Sequence, residues 1–117
     1  MGENNEQIKK IKRSTSYKKL KENLLSQLAE KNSDIPVFID LVESYMDLWV
    51  VKELLTNDIA DRGVYITTIN GKGQEQPKKN DSVSELSKIT AQMLKVLTQL
   101  KLEVNNESTS PTEDDEL

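Results

Sequence analysis

Apolar residues recur at helical spacing in three stretches of the chain and switch to a strand-like pattern in one. Tyr17, Leu20, Leu24, Leu25 and Leu28 form the first stripe, which predicts a helix from Tyr17 to Lys31. Ser14, Thr15 and Ser16 offer N-caps before it. Ile8 and Ile11 continue the spacing backwards, so the helix has room to extend into the basic segment. Met1 to Gln7 is polar and predicts no fixed structure.

Asn32-Ser33-Asp34-Ile35-Pro36 is a break. Asp34 is an expected N-cap, and Pro36 falls in the first turn, where its missing N–H does no harm. A second helix then runs from about Ile35 to Asp61. Phe38, Leu41, Val42, Tyr45, Leu48, Trp49, Leu55 and Ile59 mark its apolar stripe, and Val50, Val51 and Leu54 widen it. A face that broad predicts burial against more than one neighbour. Gly63 is a left-handed stop after Arg62.

Val64 to Ile69 is β-branched and aromatic, hence strand-forming. Asn70-Gly71 predicts a two-residue type I′ turn. The return strand is Lys72 to Gln76, polar and closed by Pro77, so it reads as an exposed edge. Ser82-Val83-Ser84-Glu85 has the spacing of a capping box. Val83, Leu86, Ile89, Thr90, Met93, Leu94, Leu97, Leu100 and Val104 give the third helix a clean stripe. The fold expected is mainly α: three helices, with one β-hairpin between the second and the third. The divisions expected are a basic arm over 1–16, a helical core over 17–104 and an unstructured acidic tail over 105–117.

Composition narrows the chemistry. The 117 residues make one domain the natural count. A hydrophobic fraction of 35% with 4% aromatics predicts a thin core for a solitary molecule, which self-association would enlarge. There is no Cys, which removes disulfides and thiolate metal sites. There is no His, which removes the usual general base near neutral pH and the commonest metal ligand. No metal or cofactor is expected, and no apolar run is long enough to span a membrane. Met1-Gly2 starts like a myristoylation signal, but Glu6 stands where that pattern needs Ser or Thr. A cytosolic location is the default.

The net charge of -4 hides a gradient. Lys9, Lys10, Lys12, Arg13, Lys18, Lys19 and Lys21 lie in a stretch with no acidic residue. Glu103, Glu107, Glu113, Asp114, Asp115 and Glu116 lie in a terminal stretch with no basic one. Of the 20 acidic residues these are six, so 14 remain against 16 basic ones, a net of +2. The asymmetry carries more meaning than the total.

The order of elements over Ile35 to Val104 resembles the small subunit of bacteriophage terminase, in the branch built from a long helix, a hairpin and a terminal helix. Leu41, Tyr45 and Trp49 carry the resemblance, with the helix end Asp58-Ile59-Ala60-Asp61-Arg62-Gly63, the turn at Asn70-Gly71 and Gln74, and Pro77-Lys78-Lys79-Asn80. Val83-Ser84-Glu85-Leu86-Ser87-Lys88 follows, then Leu94, Leu97, Leu100, Lys101 and Leu102. The resemblance implies a non-enzymatic DNA-packaging protein in the cytoplasm of a bacterial host. Such a protein binds double-stranded viral DNA, assembles with itself into a ring and regulates the large subunit, which carries the ATPase and nuclease. No obvious separate helix-turn-helix domain stands in front of Asp34, so sequence-specific major-groove reading by a recognition helix is not to be assumed.

Several residues are candidates for function, each with a plainer alternative. The seven cations from Lys9 to Lys21 suit phosphates through counterion release, without reading sequence; the alternative is a solvated helix face. Lys78 and Lys79, with Lys72 nearby, form a weaker basic patch or simply a linker. Tyr45 and Trp49 are candidate subunit contacts, since aromatics are enriched at interface hot spots, or ordinary core. Glu53, Asp58 and Asp61 lack the convergent partners that a metal or an acid–base pair needs and read as an exposed polar face. Asp58 and Arg62 have i, i+4 spacing for an ion pair. Gly71-Lys72-Gly73 lacks the Gly-Lys-Ser/Thr element of a phosphate loop and reads as a hairpin tip. The acidic tail is a docking strip for a basic partner, an inhibitor of the basic arm or a solubilising terminus. Two rival functions stand beside packaging: a small dimeric DNA-binding regulator, and a protein–protein interaction module indifferent to DNA.

Overall fold

A computed structural model describes residues 2–102 of the chain. The order is α1 (Gly2–Arg13), α2 (Thr15–Glu30), α3 (Pro36–Arg62), β1 (Tyr65–Ile69), β2 (Glu75–Lys79) and α4 (Asp81–Leu100). The mainly helical class and the hairpin before the last helix are as expected. The helix count is corrected from three to four. The polar residues 2–7, expected to lack fixed structure, belong to α1. The tail from 105 onward lies outside the described residues.

Ser14 divides the N-terminal segment into two helices. Its backbone is extended (φ -69°, ψ 151°), and its hydroxyl accepts from the Tyr17 N–H. The same hydroxyl donates to the Ile11 carbonyl at 2.6 Å, closing α1. One serine thus serves the ends of both helices, its own N–H also bonding the Ile11 carbonyl. The N-cap of α3 is also shifted. Ile35, not Asp34, takes that position and makes no side-chain cap, while Pro36 pre-sets the first turn.

Helix α3 is the spine, and α1, α2 and α4 all pack on it. Leu24, Leu28, Val42 and Met46 are fully buried at the α2–α3 crossing, with Tyr17, Tyr45 and Val50 beside them. Met93, Leu100 and Leu102 bring α4 and its exit into the same cluster, and Ile8 and Ile11 pack on it from α1. Helices α3 and α4 run antiparallel. The start of α4 meets the end of α3 through Ser82 and Asp58. At the other end Lys31, just ahead of α3, donates to the Lys101 carbonyl beyond α4. Lys101 is left-handed (φ 58°), so α4 stops at Leu100 and not at Val104.

The hairpin pairs Tyr65 with Lys79 and Ile69 with Glu75. Its loop is not the expected two-residue turn. The Gly73 N–H bonds the Asn70 carbonyl, the Asn70 N–H bonds the Gln74 carbonyl, and Gly73 takes φ +78°. That is a three-residue loop, a turn followed by a left-handed glycine. The Asn70 side chain selects it by accepting from the N–H groups of both Lys72 and Gln74. The return strand is therefore Glu75–Lys79, and Pro77 sits inside it opposite Thr67.

Candidate nucleic-acid interface

The basic residues divide by helix face. On α1, Lys9 and Arg13 project away from Ile8 and Ile11, because 3.6 residues per turn set them on the other side of the axis, and Lys10 and Lys12 flank that apolar face. All four are exposed. On α2, Lys18 and Lys19 are exposed as well, being turned away from the stripe of Tyr17, Leu24 and Leu28. Lys21 falls on the core side and is half-buried. Its Nζ meets Glu43 of α3 at 2.9 Å, and that carboxylate raises the lysine pKa. Among the described residues the other six cations form no ion pair. Six of the seven sequence candidates are thus exposed and without an ion pair among the described residues, while Lys21 is tied to Glu43.

Between α1 and α3 opens a cleft of about 420 Å³, with Lys10 and Ile11 on one wall and Trp49, Glu53 and Asn57 on the other. Trp49 is half-buried. Its ring lies 6.0 Å from that of Tyr17 at 60°, and the Lys52 ammonium stands 5.5 Å from its centroid. Tyr45 is buried within the single chain, and desolvation pushes its phenol pKa up. Both aromatics belong to the core cluster or its margin.

Of the three carboxylates near the end of α3, Asp61 is exposed and Glu53 pairs with Lys52 at 3.2 Å, while Asp58 is more than the polar face that its sequence suggested. Asp58 takes the Arg62 guanidinium through both oxygens, at 2.7 and 2.9 Å. It also accepts from Asn80 Nδ2 at 3.0 Å and from the Ser82 hydroxyl at 2.7 Å. Asn80, fully buried, donates to the Gly63 carbonyl and accepts from the Ser82 N–H, so it is the N-cap of α4. The expected capping box on Ser82 is replaced by this cap two residues earlier. Arg62, then Ser82 and Asn80, hold the Asp58 carboxyl far below its ordinary pKa. The spacing of Asp58 and Arg62 was visible in the sequence; Asn80 before a helix start was the only other signal, and its long-range partners had none.

Lys72 and Lys79 are exposed on the hairpin, and Lys78 lies 3.8 Å from Asp81. Gly71-Lys72-Gly73 is the hairpin tip. No group of three or more acidic residues among the described residues is arranged to hold a metal ion. None of the described helices is long and apolar enough to cross a membrane.

No curated protein and no solved structure matches the chain. Residues 18–116 match the family described as phage terminase, small subunit, a stretch that takes in most of α2 and all of α3, the hairpin and α4. That match covers well over half of the chain, so the chain belongs to the phage terminase small subunit family and has a role in phage DNA packaging.

Proposed function

We propose that this chain is a non-catalytic adaptor of DNA packaging that assembles with itself into a ring, binds double-stranded viral DNA and recruits the large ATPase–nuclease subunit in the host cytoplasm. One observation carries the DNA-binding part. Lys9, Lys10, Lys12, Arg13, Lys18 and Lys19 are exposed along α1 and the start of α2, with no ion pair among the described residues. Such side chains bind phosphate by displacing condensed counterions, which yields affinity without sequence reading. Repeated around a ring, they make a positive belt that attracts a polyanion.

Self-association follows from the thin core. Val51, Leu94, Tyr65 and Ile69 remain exposed on different elements of the single chain. Trp49, half-buried beside the α1–α3 cleft, is the candidate anchor of a subunit contact, with Tyr45 supporting it from inside. The mechanism is assembly and positioning: the ring gathers the arms, the arms hold the duplex, and the terminal helix and acidic tail meet the large subunit.

The test is the solution mass of the full chain with and without DNA, measured across a salt series. A closed ring whose DNA affinity falls steeply with salt supports the reading. A dimer would favour the regulator, and a folded chain indifferent to DNA at low salt would leave an interaction module.

A further inference from the structure

The hairpin has two outer edges, and they differ. In an antiparallel ladder successive residues turn their N–H and C=O alternately towards the partner strand and away from it. The Asn70 N–H bonds the Gln74 carbonyl and the Asn80 N–H bonds the Val64 carbonyl, so the even-numbered residues of β1 face β2. Tyr65, Thr67 and Ile69 therefore turn their backbone groups outward. Among the described residues no hydrogen bond satisfies them. On β2 the outward residues are Glu75, Pro77 and Lys79. Pro77 has no N–H to offer, and Lys78 and Lys79 add charge, which are two devices that keep a further strand off an edge. From Val64 to Ile69 there is neither proline nor charge. Tyr65 is 68% exposed and Ile69 60%.

We propose that the outer edge of β1 is an interaction surface for a second copy of this chain, the two β1 strands pairing antiparallel about Thr67 to form one four-stranded sheet. The strand is complementary to itself in that register. Tyr65 of each copy lies opposite Ile69 of the other, and Thr67 lies opposite Thr67. All these positions turn their backbone outward on both strands, so each donor meets an acceptor. A shift by one residue would set outward groups against inward ones. Aromatic–β-branched pairs and paired threonines are favourable across strands, and no like charges oppose each other. A head-to-tail pairing of β1 on a neighbour's β2 meets Pro77 and the lysines, which leaves the two-fold arrangement. Being isologous, the contact closes at two copies. A ring needs a separate head-to-tail contact, so this pairing stands or falls independently of the ring.

The chain contains no cysteine, which makes a single thiol informative. Thr67→Cys puts that thiol on the two-fold axis. Facing Cα atoms of a hydrogen-bonded antiparallel pair are about 5.5 Å apart, within disulfide reach. Mild oxidation of the full chain should give a disulfide-linked dimer at least ten times faster than Gly71→Cys, a control at the open hairpin tip. A folded Thr67→Cys chain that links no faster than the control overturns the proposal. A second measurement needs no thiol. Thr67→Lys and Thr67→Glu should each lose the pairing alone, by self-repulsion across the axis, and recover it when mixed. A mixture showing no preference for unlike pairs in native mass spectrometry also overturns it.

Discussion

Asn80 Nδ2 donates to Asp58 Oδ2 at 3.0 Å, joining the start of α4 to the end of α3 across the whole hairpin. The same asparagine holds the Gly63 carbonyl with its side chain and the Val64 carbonyl with its N–H. An isolated two-stranded hairpin is marginal in water. This one is fastened at its base, where the chain leaves one helix and enters the next.

Asn80→Ala should therefore cost more than a surface cap. It removes the N-cap of α4, takes one of three donors from the part-buried Asp58 carboxylate and strips the Gly63 carbonyl of the Asn80 amide. The expected loss is about 1–3 kcal/mol, read from the denaturant midpoint. A loss under half of that would mean that Arg62 and Ser82 hold the junction without it.

Acid should loosen the same junction. The folded-state pKa of Asp58 is depressed, first by Arg62, then by Ser82 and Asn80. A depressed carboxyl stabilises the fold above its unfolded value, near 4. That contribution declines as pH falls from there towards the folded pKa. Asp58→Asn should be less stable than the wild type at neutral pH, and the difference should shrink steadily below pH ~4. Parallel stability curves for the two proteins over that range would refute the assignment.

The limits of the sequence are physical. Amphipathic periods located α2, α3 and α4 and the strand β1, because burial on one face repeats with the element's own geometry. Gly63 was visible as a stop, but it ends α3 at φ 90° and ψ 176° and not in the left-handed helical conformation expected of it, a backbone that glycine tolerates for want of a Cβ. The α1–α2 break was harder to see, since Ile8 and Ile11 keep in step with the stripe that follows and only Ser14 marks the division. The loop type turned on Asn70 accepting two N–H bonds, a choice that Asn-Gly alone leaves open. Among the cations, composition treated seven as equal. Lys21 stood apart only through the helix phase that aims it at Glu43, in another helix.

The division among those cations gives a direct comparison. Neutralising Lys9, Lys10, Lys12 and Arg13 to Gln should weaken DNA binding and flatten its salt dependence. The slope of log affinity against log salt should fall by up to ~0.9 for each phosphate that the variant no longer neutralises. Lys21→Gln should leave that slope unchanged and lower stability slightly, by under ~1 kcal/mol, as expected for a half-exposed ion pair. A salt-titrated gel shift decides. Equal slopes for the fourfold variant and the wild type would remove α1 from the interface.

Trp49 and Tyr45 separate assembly from folding. Tyr45 is buried within one chain, so Tyr45→Ala should lower the unfolding free energy by about 3 kcal/mol or more, as large core truncations do. Trp49 is only half-buried, with part of its surface on the α1–α3 cleft. Trp49→Ala should cost less in unfolding, about 2 kcal/mol. It should also lower the assembled mass at temperatures where circular dichroism shows the chain fully folded. A subunit anchor has to show that separation of mass from fold, and a core residue does not. Light scattering that finds the Trp49→Ala mass unchanged would return the tryptophan to the core, where it packs on Tyr17 and Lys52 and does not touch a second subunit.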